Sequence, residues 1–376
     1  MKILFVSTSI EMFNRFLAPH VLYLTQQGHE VSIACNIDHE IPLQLLENKI
    51  QVHNAPFHRQ PFHKNNLVAY RMIKAIVRDG NYNLVHVHNP TPSFITRFAM
   101  RKVKNAKALY TSHGFNFYKG CPFPYSQFFY LLEKIAARWT DGIVTINEED
   151  YIAAKKLPLR EKDNVFFMHG TGVNFKKFNP DAYPNKSTLR KVYGYTDTDF
   201  ILISIADLNE NKHQDLLFNM INLLKNSIPN IKLLLVGEGP DTKKYKEQVD
   251  KLGITENVHF LGYRKDIPEL LKISDILVSA SRREGLGVSL IEAMAMGLPI
   301  IVTDNRGHRE LIKNGENGFL VCLNETKEFS KVVMEMFYSE NLRIQFKEKN
   351  FKVIQQFSIE NVLKELNDVY PSIMVK

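Results

Sequence analysis

Cysteine is scarce in this chain. Three residues of 376, Cys35, Cys121 and Cys322, are widely separated and odd in number, so nothing pairs them into a disulfide framework or a thiolate metal site, and a reducing compartment is expected. No apolar run approaches the length needed to span a bilayer, and the opening MKILFVSTS enters a strand directly, without a secretory hydrophobic segment. The expectation is a cytoplasmic protein, or one held peripherally on the inner face of the plasma membrane. No G-x-G-x-x-G follows the first strand, which counts against a dinucleotide dehydrogenase. No aromatic-and-basic module such as an RRM string occurs, so nucleic acid is not an expected partner. No Asp-x-Asp stands in a suitable strand context, so no metal and no other cofactor is expected.

What is present is a chain long enough for two domains, with strand-like apolar runs alternating with amphipathic stretches, the pattern of α/β layers on parallel sheets. The net charge of +8 lies in one half: residues 1–185 carry 22 Lys and Arg against 14 Asp and Glu, and residues 186–376 carry 26 of each. A basic half suits an anionic membrane surface, nucleic acid or simple solubility. The stretch Ser93 to Lys107 mixes Phe94, Ile95, Phe98, Met100 and Val103 with five cations. It reads either as a helix lying on a membrane or as a core-packed helix with a solvated basic face.

The most informative stretch is SRREGLGVSLIEAMAMGLP, Ser281 to Pro299. A buried strand, DILVSAS, precedes it, and VSLIEAMAMG reads as a helix closed by Gly297 with Pro299 as a stop. Gly285, Leu286 and Gly287 form the turn, and the first free amides of the helix, around Val288 and Ser289, face the same space with the positive end of the helix dipole behind them, a seat for phosphate. Glu284 lies at the mouth of the turn and Glu292 further along the helix, so both can face one ligand at different depths. A single such glutamate would as well be a solvated carboxylate that suits the dipole; the whole string is harder to dismiss.

Along the rest of the chain, KILFVSTS is a buried strand and 16–27 a helix, with Thr8 to Arg15 as the loop at the strand's carboxyl end, where open α/β sheets bind ligands. The strands at 83–90 and 107–115 put positions 88, 89 and 113 on one rim, which brings forward Asn89 and His113. The aromatic loop and helix from Phe115 to Trp139 suit a sugar, a lipid tail or plain core packing. The strand DGIVTIN ends at Asn147.

The string EGLGVSLIE with its continuation EAMAMGLPIIVTD resembles the E-x7-E signature of family 4 of the retaining glycosyltransferases, which have the GT-B fold. The resemblance implies two Rossmann-like domains facing across a cleft, and a last helix that crosses back to the first domain. It divides the chain into an acceptor-binding domain at 1–180, a nucleotide-sugar-binding domain at 181–357 and a returning helix at 358–376. It further implies that Glu284 lies by the donor sugar, that Glu292 holds the ribose hydroxyls and that His113 contacts the sugar. By the same resemblance Lys212, in LNENKHQDLL, binds the donor diphosphate, and Gly262, Tyr263 and Arg264 form the loop around the nucleobase. Asp207 stands where the family usually has arginine or glutamate, and is expected to turn away from the phosphates or to pair with Lys212. The string HGTGVN at 169–174 resembles the family's interdomain segment, with Asn174 where aspartate is usual.

The implied activity is retaining transfer of a hexose or N-acetylhexosamine from a nucleoside-diphosphate sugar, UDP by family frequency, to a lipid-linked sugar acceptor on undecaprenyl diphosphate, in bacterial capsule, exopolysaccharide or O-antigen synthesis. Rival readings are a sugar-nucleotide epimerase or hydrolase on the same fold, a nucleic-acid-binding protein and a catalytically silent partner of a membrane glycosyltransferase.

Overall fold

A computed structural model describes residues 1–374, and the chain divides into two compact units: Met1–Gly172 together with Glu360 onward, and Val173–Ile359. The first unit is built on seven parallel strands: β1 (Lys2–Ser9), β2 (Glu30–Asn36), β3 (Gln51–Asn54), β4 (Leu84–His88), β5 (Lys107–Ser112), β6 (Gly142–Thr145) and β7 (Val165–Phe167). Their spatial order is β3-β2-β1-β4-β5-β6-β7. Ile3 and Phe5 of β1 pack on one face with Ile10, Phe13, Leu17, Val21 and Leu24, while Leu4 and Val6 pack on the other with Ala69, Ile73, Ala99 and Ala137. Burial on both faces is why the central strands read as unbroken apolar runs.

The C-terminal helix Ile359–Met374 belongs to this first unit: Val362, Leu366, Val369, Tyr370 and Ile373 join the face that holds Ile3 and Phe5. Tyr370 Oη also sits 2.8 Å from His86 Nδ1 on β4.

The second unit has six parallel strands, β8 (Phe200–Ile205), β9 (Ile231–Val236), β10 (Val258–Gly262), β11 (Ile276–Ser279), β12 (Ile300–Thr303) and β13 (Phe319–Val321). They are arranged β10-β9-β8-β11-β12-β13. In both sheets the order reverses beside the first strand, at β1/β4 and at β8/β11, and the crevice outside the carboxyl ends of such a strand pair is where doubly wound sheets take ligands.

Two expectations need correction, and a third, left between two readings, is decided for core packing. There is no loop at Thr8 to Arg15: β1 runs to Ser9 and the chain is helical from Ile10, with a π turn at Phe13–Leu17. The apolar stripe of Ile10, Phe13, Leu17 and Val21 carries the helix back to the strand, and Glu11 pairs with Arg15 at 2.6 Å. The unit boundary falls after Gly172, not after Pro180, because the Val173 amide bonds Phe357 O at 2.9 Å and the Val173 carbonyl accepts from Ile359 N at 3.0 Å. The basic stretch at 93–107 is helical only within Pro90–Met100, and Arg97 points inward, bonded to Glu133 at 2.5 and 3.2 Å with Tyr110 beneath it. Phe94 and Phe98 pack on Trp139, so the apolar stripe of this helix faces protein.

Candidate active site

At the switch point of the second sheet, the segments that leave β8 and β11 are stitched together. The Arg282 amide donates to Asn211 O at 2.8 Å, and Asn211 Nδ2 donates to Arg283 O at 3.1 Å. This stitching brings Lys212 Nζ to 2.6 Å from Glu284 Oε1, with the two side chains only 23% and 17% exposed. Burial by itself pushes the Glu284 carboxyl up; the Lys212 ammonium, the His308 ring and a hydrogen bond from Ser281 outweigh it and hold the group below the ordinary carboxylate value. The two residues thus form one ionised unit. Asp207 is not its partner: that side chain is exposed, and its carbonyl accepts from Gln214 Nε2 at 2.9 Å.

A further wall comes from the segment after β12. Thr303 Oγ1 and Asn305 Nδ2 both donate to Ser281 O, at 2.6 and 2.9 Å, and Asn305 caps the short helix Arg306–Arg309 by accepting from His308 N. Gly307 lies flat against Glu284: a Cβ there would meet the Glu284 Cβ at 2.8 Å. Buried His308 places Nδ1 2.6 Å from Thr303 O and 2.9 Å from Asn305 Nδ2. Burial holds its pKa below the usual histidine value despite Glu284 nearby. Sequence reasoning missed His308, Gly307 and Arg306, whose Nε donates to Glu284 O at 3.3 Å, although Asn305 three residues before His308 in DNRGHREL is a capping signal.

The helix foreseen after the turn is Val288–Ala295, with Gly287 at its N-cap and no side-chain cap. Of its expected amides, Val288 N–H is spent on Leu286 O at 3.1 Å, and no hydrogen bond within the described residues engages the Gly287 or Ser289 amide. Leu286 is buried and Gly285 opens the same turn. Glu292 is largely buried; burial pushes its carboxyl up to about 7, with Lys177 pulling the other way.

At the carboxyl ends of β9 and β10, Gly237, Glu238, Gly239, Lys246, Phe260 and Gly262 line a cavity of about 470 Å³. Its floor depends on glycine: a Cβ on Gly237 would lie 2.1 Å from Ala206 O, and one on Gly239 2.2 Å from Leu208 O. Tyr263 stands beside it, 60% exposed. Arg264 is held in a fork by Asp266, at 2.8 and 2.5 Å, which turns the guanidinium onto its own loop.

In the first unit, Asn89 adopts a left-handed backbone (φ 63°) after β4, and its Oδ1 accepts from Ser7 Oγ at 2.8 Å and from Thr8 N at 3.3 Å. It therefore ties β4 to β1 at the switch point. His113, after β5, puts Nε2 3.0 Å from His88 Nδ1, and burial holds its pKa down to about 4. Asn147 is fully buried and caps the helix Glu148–Ala154: Oδ1 accepts from Asp150 N at 2.8 Å, and Nδ2 donates to Asp150 Oδ2 at 2.9 Å. Its side chain is spent on that cap. Asp197 and Asp199 form an Asp-x-Asp, but before the amino end of β8, where they accept hydrogen bonds from Ser187 and Thr196.

Two doubly wound parallel sheets, with a lysine–glutamate ion pair at the switch point of the second, form the paired architecture of the GT-B class. Residues 14–162 match the family model described as Glycosyltransferase Family 4, and residues 185–353 the one described as Glycosyl transferases group 1. The protein named "Putative glycosyltransferase EpsD" of Bacillus subtilis (strain 168) is 37% identical over 375 residues, covering 99% of this chain and 97% of its own. The UDP-Gal:alpha-D-GlcNAc-diphosphoundecaprenol alpha-1,3-galactosyltransferase of Escherichia coli is 28% identical over 321 residues, covering 83% and 80% of the two chains. The crystal structure of Anabaena Alr3699/HepE with UDP-glucose shares the fold at a TM-score of 0.82 and 20% identity, over 99% of this chain and 100% of that one. This chain belongs to the group 1, family 4 glycosyltransferases.

Proposed function

We propose that the protein transfers a hexose or N-acetylhexosamine from a UDP-sugar to a sugar carried on undecaprenyl diphosphate, with retention at the anomeric carbon, in the synthesis of a bacterial surface polysaccharide. The observation that carries the reading is the Lys212–Glu284 ion pair at the β8/β11 switch point, beside the mouth of the helix Val288–Ala295. As the bond between the anomeric carbon and the diphosphate breaks, the electron pair moves onto the phosphate oxygens. Fixed positive charge there lowers the barrier most. Lys212 Nζ and the helix amides supply that charge, so no metal is required. Glu284 holds the ammonium in place and accepts from a sugar hydroxyl, and Glu292 accepts from the ribose hydroxyls. The acceptor oxygen bonds to the anomeric carbon and its proton passes to the departing phosphate, which leaves the protein no need for a separate base. The cavity floored by Gly237 and Gly239 takes the base. UDP is favoured because the E. coli relative is named for UDP-galactose and the Anabaena structure holds UDP-glucose; the lipid-linked acceptor follows the same E. coli name.

An anionic membrane surface is the proposed partner. Among the described residues no helix is long and apolar enough to cross a membrane. On either side of the helix Pro90–Met100, however, the helices Asn65–Gly80 and Tyr125–Ala137 expose Leu67, Val68, Met72, Tyr125, Phe128 and Leu131. Phe62 and Phe123 just before them are 92% and 81% exposed. Exposed Lys64, Arg71, Lys74, Lys134 and Arg138 accompany these apolar side chains. Apolar insertion together with cations is the combination that binds acidic lipid.

The test is a panel of labelled UDP-sugars offered to the purified protein with an undecaprenyl-diphosphate-linked sugar fraction. The expected product is a labelled lipid-linked disaccharide with the donor's anomeric configuration, lost in Lys212→Ala. Donor consumption at an unchanged rate without acceptor would replace the reading with an epimerase or hydrolase, and failure to bind any nucleotide sugar by calorimetry would leave a silent partner protein.

A further inference from the structure

Alternate residues of a strand share a face, so the sequence VHVH puts His86 and His88 of β4 side by side, ring centres 4.4 Å apart, with the Phe5 ring against both. His86 is fully occupied: Nδ1 meets Tyr370 Oη at 2.8 Å and Nε2 meets Thr111 Oγ1 at 2.7 Å. His88 is 2% exposed, its Nδ1 lies 3.0 Å from His113 Nε2, and its own Nε2 has no hydrogen-bond partner. His113 is the partly exposed ring of the three.

Between His88 Nδ1 and His113 Nε2 there is room for one proton. If His113 carried it, the proton of neutral His88 would sit on Nε2, a buried N–H with nothing to donate to. If His88 carries it, the orphaned atom is only a lone pair, and buried acceptors are left unsatisfied more readily than buried donors. With Nε2 accepting, neutral His113 must hold its own proton on Nδ1.

We propose that His88 is a positioning residue that fixes His113 as the Nδ1–H tautomer, so that His113 meets the sugar as a hydrogen-bond donor and does not take a proton from the acceptor at that atom. The part that concerns the sugar rests on the function proposed above and on the sugar contact that the family resemblance implies for His113; the tautomer does not. The rings stay neutral because burial and their histidine neighbours, including His20, all oppose protonation of His86, His88 and His113.

The test is a long-range proton–nitrogen correlation spectrum of the full chain labelled with ¹⁵N-histidine, with the His113 signals assigned by their loss in His113→Gln. A protonated Nδ1 and a bare Nε2 on His113 are expected; a protonated Nε2 overturns the proposal and needs no variant at position 88 to be seen. His88→Leu removes the donor and should lower kcat/KM for transfer about tenfold, the size of one hydrogen bond, while calorimetric UDP affinity stays unchanged. His88→Asn, which offers an amide donor where Nδ1 stood, should restore most of that loss. Unchanged kcat/KM in His88→Leu, or no rescue by asparagine, overturns the positioning role even where the tautomer is as expected. An inactive wild-type protein with the Nδ1–H spectrum would instead count against the proposed transfer reaction and leave the tautomer standing.

Discussion

Glu292→Gln should move stability and donor binding in opposite directions. The folded-state pKa of Glu292 is raised to about 7 from an ordinary 4.5. The native state therefore binds more protons than the unfolded chain between those values, and stability falls as pH rises through that window. Holding the charged form there costs about 3 kcal/mol. Its partly exposed edge keeps some solvent screening, so about 1–2 kcal/mol is the difference to look for between about pH 5.5 and about pH 8.5. Glutamine has no charge to bury. Denaturant unfolding of the two proteins at both pH values should show the variant gaining on the wild type by that amount at the higher pH. Calorimetry with UDP should show the reverse, a loss of roughly tenfold to hundredfold as the charge-assisted acceptor of the ribose hydroxyls disappears. A stability difference that does not change with pH would refute the burial argument. Unchanged UDP affinity would refute the ribose assignment and leave the burial argument intact.

Lys212→Met should lower the transfer rate by roughly 10²–10³-fold, in line with removal of one preorganised charge donor. Pairing it with Glu284→Gln should recover stability and no activity, as seen by comparing unfolding curves with turnover of the single and double variants. Gly239→Ala places a Cβ 2.2 Å from Leu208 O, so the loop must shift, and UDP affinity should drop while the fold, followed by circular dichroism, persists. Phe62→Ser combined with Phe123→Ser should abolish sedimentation with vesicles rich in anionic lipid. Arg97→Gln should leave vesicle binding intact and destabilise the first unit by about 3 kcal/mol, because it strands Glu133 beside the core.

The sequence reveals most where function and local chain geometry coincide. In Ser281 to Pro299 the strand, the glycine turn and the helix start are neighbours in sequence, and the helix begins at Val288 as its pattern implies. What it hides are pairings made by loops from distant strands. Lys212 and Glu284 are 72 residues apart and Arg97 and Glu133 are 36 apart, so whether each charge is paired or solvated cannot be read locally. Two shorter pairings lie within reach of a local reading. Asn147 stands three residues before Asp150, the spacing of a helix cap, and Arg264 lies two before Asp266, close enough for a fork within one loop. Each side chain is engaged by its own segment, and both patterns were visible in the order of residues.

The two sheets share an order but differ in the electrical character of their switch points, and that difference suits the transfer reaction proposed above. In the second unit, Lys212 and Glu284 are ionised against each other, and burial is overcome by charge. In the first, four histidines, His20, His86, His88 and His113, have their pKa values lowered by burial, so the strand ends are polar and neutral. A departing diphosphate gathers negative charge and is stabilised by a fixed cation. A sugar hydroxyl that attacks carries no charge, and a cation beside it would draw electrons away from the attacking oxygen. A charged lysine at position 113 should therefore cost activity even if it reaches the same sugar oxygen. Comparing His113→Lys with His113→Gln isolates that effect: glutamine keeps a neutral donor and should retain the larger share of turnover, and equal rates for the two would mean that the charge of this rim is irrelevant to transfer.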